Sequence, residues 1–222
     1  MTRSIAWTLL VFVAVAPAVV SAQEVEERIT AQVLRMDLLD HARLVLQLRK
    51  ELDKRLLTPD DGWVKKKPKG DAAGVHKILT RGRWDGQTFV RGGGAYFSFE
   101  TTSNDYNQRP DLQLSKAWTL SSGFAGGDVG AVVPIQAKKL DKLEADDLPD
   151  WLTAPDAHAF HDAMRTQPIE PAAAAVGQVY AIRSLRWGES DRLVVMKVLD
   201  RGEFGLTFAW KVVQVRDVPV RR

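Results

Sequence analysis

The chain has 222 residues, 31 lysines and arginines against 28 aspartates and glutamates, a net charge of +3, and no cysteine. So small an excess of positive charge gives no electrostatic case for a nucleic-acid partner, and the absence of cysteine excludes disulfides, thiol acylation and thiolate catalysis. About 200 residues beyond any leader suit one domain or two small ones, with enough chain for a core that holds the fold unaided.

Residues 1–22 read as a signal peptide: Arg3 supplies the positive start, Ile5 to Val20 is an apolar run, and Val20-Ser21-Ala22 offers small residues for cleavage. The expected mature chain starts near Gln23, carries no membrane span and is exported, periplasmic or extracellular. The alternative is a retained anchor, because the run approaches the ~18–20 residues that cross a bilayer.

Residues 23–58 read as an amphipathic helix, with Leu34, Leu38, Ala42, Val45, Leu48, Leu52 and Leu56 at three- and four-residue steps. Glu24, Glu26 and Glu27 near its start and Arg49, Lys50, Lys54 and Arg55 near its end match the helix dipole, and Pro59 with Gly62 stops it. Met36, Leu39, Leu44 and Leu46 widen the apolar face beyond a strict coiled-coil seam, which favours packing on the protein's own sheet. After it, "WVKKKPKG" gathers Trp63, Lys65, Lys66, Lys67 and Lys69 into a basic strip, opposed by the acidic run from Asp141 to Asp162. The two runs are expected to attract each other or to stay solvated; the functional alternative is a polyanion strip with Trp63 as a stacking platform.

Residues 75–166 switch to β-type sequence with an acidic helical segment. Asp85-Gly86 is a strong hairpin signal, Ala95–Thr101 and Leu112–Leu120 form a second strand pair, and Val129–Ile135 forms another strand. A helix is expected near Pro155–Arg165. Residues 177–222 read as a three-stranded meander, Gln178–Trp187, Arg192–Leu199 and Phe204–Val215, belonging to the same sheet system. The expected fold class is α+β, a long N-terminal helix packed on a curved antiparallel sheet or small β-barrel.

Gly92-Gly93-Gly94 and "GFAGGDVG", Gly123 to Gly130, invite a phosphate-loop reading, but β-type sequence follows both, so their glycines are expected to serve turns and close backbone approach. "TSNDYNQRPD" is the densest polar loop. Asp105, Tyr106, Asn107, Arg109 and Asp111, with Gln108 between them and Tyr96 and Trp118 on flanking strands, supply the amides, carboxylates, guanidinium and phenol that hold sugar hydroxyls or a peptide backbone. Asp128 joins this binding set if the strands bring it close, and a pair such as Asp105–Asp128 or Glu100–Asp128 would then allow general acid/base hydrolysis. His158 and His161 lack further ligands, no GxSxG elbow occurs, and neither a metal nor a cofactor is expected.

"GGGAYFSF" followed by "SSGFAGGDVG" resembles a group of uncharacterised exported bacterial proteins, over the middle third of the chain and on into "VGQVYAIRSL". The resemblance implies a recurring exported module and no particular activity. The sequence therefore points to an exported, non-enzymatic binding or envelope-associated module for a polysaccharide, an anionic polymer or a protein. The alternatives are a carboxylate-dependent hydrolase and a structural protein self-associating through its helix.

Overall fold

The computed structural model describes residues 22–81, 90–124, 128–137, 139–167 and 170–218. The chain divides after Leu46 into two units. The described part of the first is helix alone, the start of α1 (Ala22–Leu57). Among the described residues of that unit its leucines have no packing partner outside the helix itself, and Leu34 and Leu38 are 58 % and 71 % exposed. Within the second unit the last turn of α1 meets the glycine corner: a Cβ on Gly94 would lie 3.1 Å from Leu57 Cδ2 and 3.1 Å from Leu79 Cδ1. No described helix is long and apolar enough to cross a membrane.

The second unit is built on a five-stranded antiparallel sheet. The expected meander is present as β7 (Val179–Arg186), β8 (Ser190–Arg201) and β9 (Gly205–Arg216). It is flanked by β1 (Ala73–Leu79) on β9 and β5 (Val129–Ile135) on β7, giving the order β1-β9-β8-β7-β5. Register shifts at Leu193/Val194 and Val198/Asp200 put bulges into the β8–β9 ladder, which bend and twist it. A smaller sheet, order β2-β3-β4-β6, comprises β2 (Tyr96–Phe97), β3 (Leu112–Leu114), β4 (Thr119–Ser121) and β6 (Ala172–Ala173). With two separate sheets and no closed ring of strands among the described residues, the architecture is mixed α+β, and the barrel alternative is corrected.

The large sheet is covered on both faces. Tyr180, Ile182, Val194, Met196, Phe208 and Trp210 pack against Phe97, Leu112, Leu114 and Leu120 around the small sheet. On the other face Ala181, Leu185, Leu193 and Val195 pack against Leu148, Leu152 and Phe160. That second layer is the acidic segment, folded as 3-10 turns at Leu140–Lys142 and Ala145–Asp147 and as α3 (Ala157–Thr166), whose Asp156 caps it by accepting the Ala159 N–H at 2.8 Å. Every residue of β7 is consequently buried, its charged ones included.

Two expectations change in detail. Leu112–Leu120 is a tight hairpin rather than one strand, because Ser115 Oγ accepts the N–H groups of Ala117 and Thr119 and its carbonyl accepts that of Trp118. These bonds close the turn, and Trp118 sits in it at φ 61°. The Asp85-Gly86 hairpin lies outside the described residues.

Candidate functional site

Glycine backbone geometry sets the two loops that meet at one end of the sheet. Gly92, Gly93 and Gly94 all have positive φ, and a Cβ on Gly92 would lie 2.6 Å from the Tyr96 ring, so the corner presses directly on that side chain. Gly123 and Gly130 touch: a Cβ on Gly123 would lie 2.2 Å from the Gly130 nitrogen, and one on Gly130 2.3 Å from Ser122 Oγ. They close the neck of a loop that carries Phe124 and Asp128. The glycines serve turns and close approach, and each stretch leads into a strand, not a helix.

The polar loop is pinned from within. Asn104 Nδ2 donates to the carbonyls of Lys77 and Tyr96, both at 3.0 Å. Asp105 accepts the Asn107 N–H at 2.8 Å and caps a 3-10 turn over Tyr106–Gln108, which ends at Arg109 in the left-handed region at φ 51°. The Tyr106 ring packs edge-on to Tyr96 at 4.8 Å, and Tyr96 lies 5.3 Å from Phe124. The sequence-distant loops are thus joined through an aromatic trio. Tyr96 is buried, and its hydroxyl accepts from Gln113 at 3.2 Å.

Arg186, at the end of β7 and only 4 % exposed, is the floor of this region. Its Nη1 donates to the Arg109 carbonyl at 2.9 Å, its Nη2 to Glu100 at 2.9 Å and its Nε to Ser190 Oγ at 3.1 Å. Asp111 is fully buried beside it. One Asp111 oxygen accepts the Phe99 N–H at 2.8 Å; the other accepts Ser184 Oγ at 2.8 Å and lies 3.5 Å from Arg186. Glu100 also accepts from Arg192 at 2.8 Å, a bond that heads the causes holding its carboxyl below the usual range. Arg109 pairs with Glu189. Above this floor, Glu100, Asn107, Gln108, Arg109 and Glu189 line an open depression of about 420 Å³.

Asp128 makes no hydrogen bond with its carboxyl among the described residues. Burial pushes its carboxyl above the usual range; Arg186 and Arg109 oppose the rise, and Asp111 adds to it. A carboxyl whose folded pKa lies above its unfolded value binds protons more tightly when folded, so it lowers stability as pH rises through the interval just above 3.8. Asp128→Asn should therefore leave the melting temperature at neutral pH unchanged or raised, and should flatten that part of the stability profile; a clear loss of stability in a pH series of melts would show a structural bond instead.

Two groups of predicted residues stand apart from this end. The Trp118 ring is covered by the Arg201 guanidinium at 3.9 Å, whereas the Arg186 cluster sits beside Ser190. Ser190 and Arg201 are opposite ends of β8, roughly 35 Å apart at ~3.3 Å per residue, so Trp118 walls a different region. In the basic strip, Lys66 Nζ lies 3.9 Å over the Trp63 ring, and Trp63 is partly buried against the core. Strip and acidic segment meet: the Lys69 N–H donates to Asp141 at 3.0 Å. Lys65 and Lys67 are exposed. His158 and His161 pack on Trp187, at 4.9 and 5.9 Å, and no described group of three or more ligating side chains is placed to hold a metal.

Arg186, Glu189 and Arg192 were missed by sequence reading because they look like the polar ends of hairpin strands. The only available signal was four charged side chains within seven residues of one turn, Arg186, Glu189, Asp191 and Arg192. Comparison with protein-family models, with curated proteins and with solved structures finds no match.

Proposed function

We propose that the chain is an exported, non-enzymatic binding module of the cell envelope whose ligand is held by the 104–111 loop, over the depression lined by Asn107, Gln108 and Arg109. The observation that carries this reading is the open polar depression built on a buried, fully bonded Arg186: a rigid floor under exposed polar side chains is the arrangement a loop-borne binding site requires. Export is supported by the apolar leader and its small-residue exit. Catalysis has less support, since Glu100, Glu189 and Asp111 are each engaged by arginine or backbone donors.

The test is a thermal melt against polysaccharides, polyanions and peptides. Ligand at ~100 times Kd adds about 2.7 kcal/mol to the native state. A selective rise in melting temperature that disappears with Tyr106→Ala and Arg109→Ala together is the expected result; a shift surviving both changes would remove the loop from the site, and a shift by polyanions alone that is lost on neutralising Lys65, Lys66 and Lys67 would move it to the basic strip. A flat panel would favour self-association through α1, to be read by light scattering.

The hydrolase reading is kept alive by one residue. Asp128 is half-buried with a raised carboxyl while Glu100 is held low, the split that separates a general acid from an ionised partner. It requires the chain to release reducing ends from a polysaccharide and Asp128→Asn to abolish that release while binding persists.

A further inference from the structure

The depression contrasts two kinds of polar group. Its charged side chains are satisfied by one another: Arg109 with Glu189, and Arg186 with Glu100, which also takes Arg192. Two cations and two anions line it, leaving no net charge. Its neutral groups are the ones with capacity to spare. The Gln108 amide and the Thr101 hydroxyl make no hydrogen bond among the described residues, and Asn107 uses only its oxygen, accepting from Arg91 at 2.7 Å. All three residues are exposed.

An anionic ligand would have to displace carboxylates already bonded to these arginines, and a cationic one would have to displace the arginines. An apolar ligand would find no aliphatic or aromatic lining. A neutral ligand bearing many hydroxyls disturbs none of these pairs, because each hydroxyl both donates and accepts and can bridge an amide donor, an amide oxygen and the outer face of a carboxylate. Resting on the binding-module reading above, we propose that the ligand is an uncharged saccharide, recognised through Thr101, Asn107 and Gln108, with the ion pairs serving as a fixed frame.

The experiment titrates the purified full chain with maltohexaose, cellohexaose and chitohexaose as neutral probes and with polygalacturonate as the anionic probe, each at low and high salt. The expected result is binding of at least one neutral hexasaccharide with an affinity insensitive to salt, weakened about tenfold or more by Asn107→Ala with Gln108→Ala. Both residues are exposed loop positions, so the variant's unchanged melt serves as its folding control. Binding of polygalacturonate alone, falling steeply with salt, would overturn the saccharide class and leave the binding module standing. No binding of any neutral probe, or neutral binding unaffected by the double change, would also overturn the proposal.

Discussion

Asp111→Ala should destabilise the folded protein by about 3–5 kcal/mol, the usual cost of removing one partner from a buried ion pair. The change strands three groups at once: the Phe99 N–H, the Ser184 hydroxyl and the inner side of the Arg186 guanidinium, none of which has ready access to water. For a domain of this size each kcal/mol lowers the melting temperature by about 2–4 °C, so a fall on the order of 10 °C is expected. Asp111→Asn keeps an acceptor for part of the set and should fall between the two. Urea unfolding separates the cases, with a shifted midpoint and an unchanged slope marking lost stability. A loss below about 1 kcal/mol would mean that water or a moved side chain replaces the carboxylate, and that the floor of the depression is less rigid than its bonds imply.

Arg183→Met should be comparably severe, with a different signature. The Arg183 side chain is fully buried on the opposite face of β7. It donates to Asp191 at 2.8 and 2.5 Å and to the carbonyls of Leu152, Ala154 and Asp156, and its guanidinium lies 4.3 Å from the Phe160 ring. One side chain therefore ties the acidic segment and the start of α3 to the sheet. Removing it alone leaves Asp191 buried with Arg216, at 4.0 Å, as its remaining cationic neighbour among the described residues, and a loss of about 3–5 kcal/mol follows. Adding Asp191→Leu removes the stranded charge, and the double variant should recover part of that loss, since apolar replacement of a whole buried pair is often tolerated. The carbonyls stay unsatisfied, so recovery should be incomplete. Equal stabilities for single and double variants, measured by the same urea midpoints, would show that the carbonyl contacts and not the ion pair dominate.

Arg183 marks where the sequence ceased to be legible, whereas Asp111 could be named from its loop. The meander was legible because Phe204, Leu206, Phe208, Trp210 and Val212 alternate along its last strand, and the glycine of Trp187-Gly188-Glu189 falls where the first turn is, at φ 73°. The helix was legible from its period, and Val129–Ile135 from a short apolar run that the structure matches end for end. Arg183, Arg186 and Asp191 were not, because alternation assigns charged residues in a strand to a wet face, and this sheet has none over β7. The Leu112–Leu120 turn was hidden because serine, not glycine or proline, makes it, and its left-handed residue is a tryptophan. In the candidate site, the loop residues and Asp128 could be named from composition. Their meeting depends on the β5–β7 and β2–β3 pairings, and the committed state of each charge depends on β7 residues far along the chain.

The pairing of β1 with β9 sets a limit on the order of assembly. Ala73 lies opposite Lys211 and Leu79 opposite Gly205, so an early strand completes the sheet only with the last one. Such non-local contacts make folding slow, because the loop entropy is lost before the ladder forms. Until β9 has been made, β1 lacks the strand it pairs with in this sheet, and the seven-residue strand exposes the edge it later shares with β9. That edge of the large sheet thus forms only after β9 has been made, although β1 precedes every other described strand.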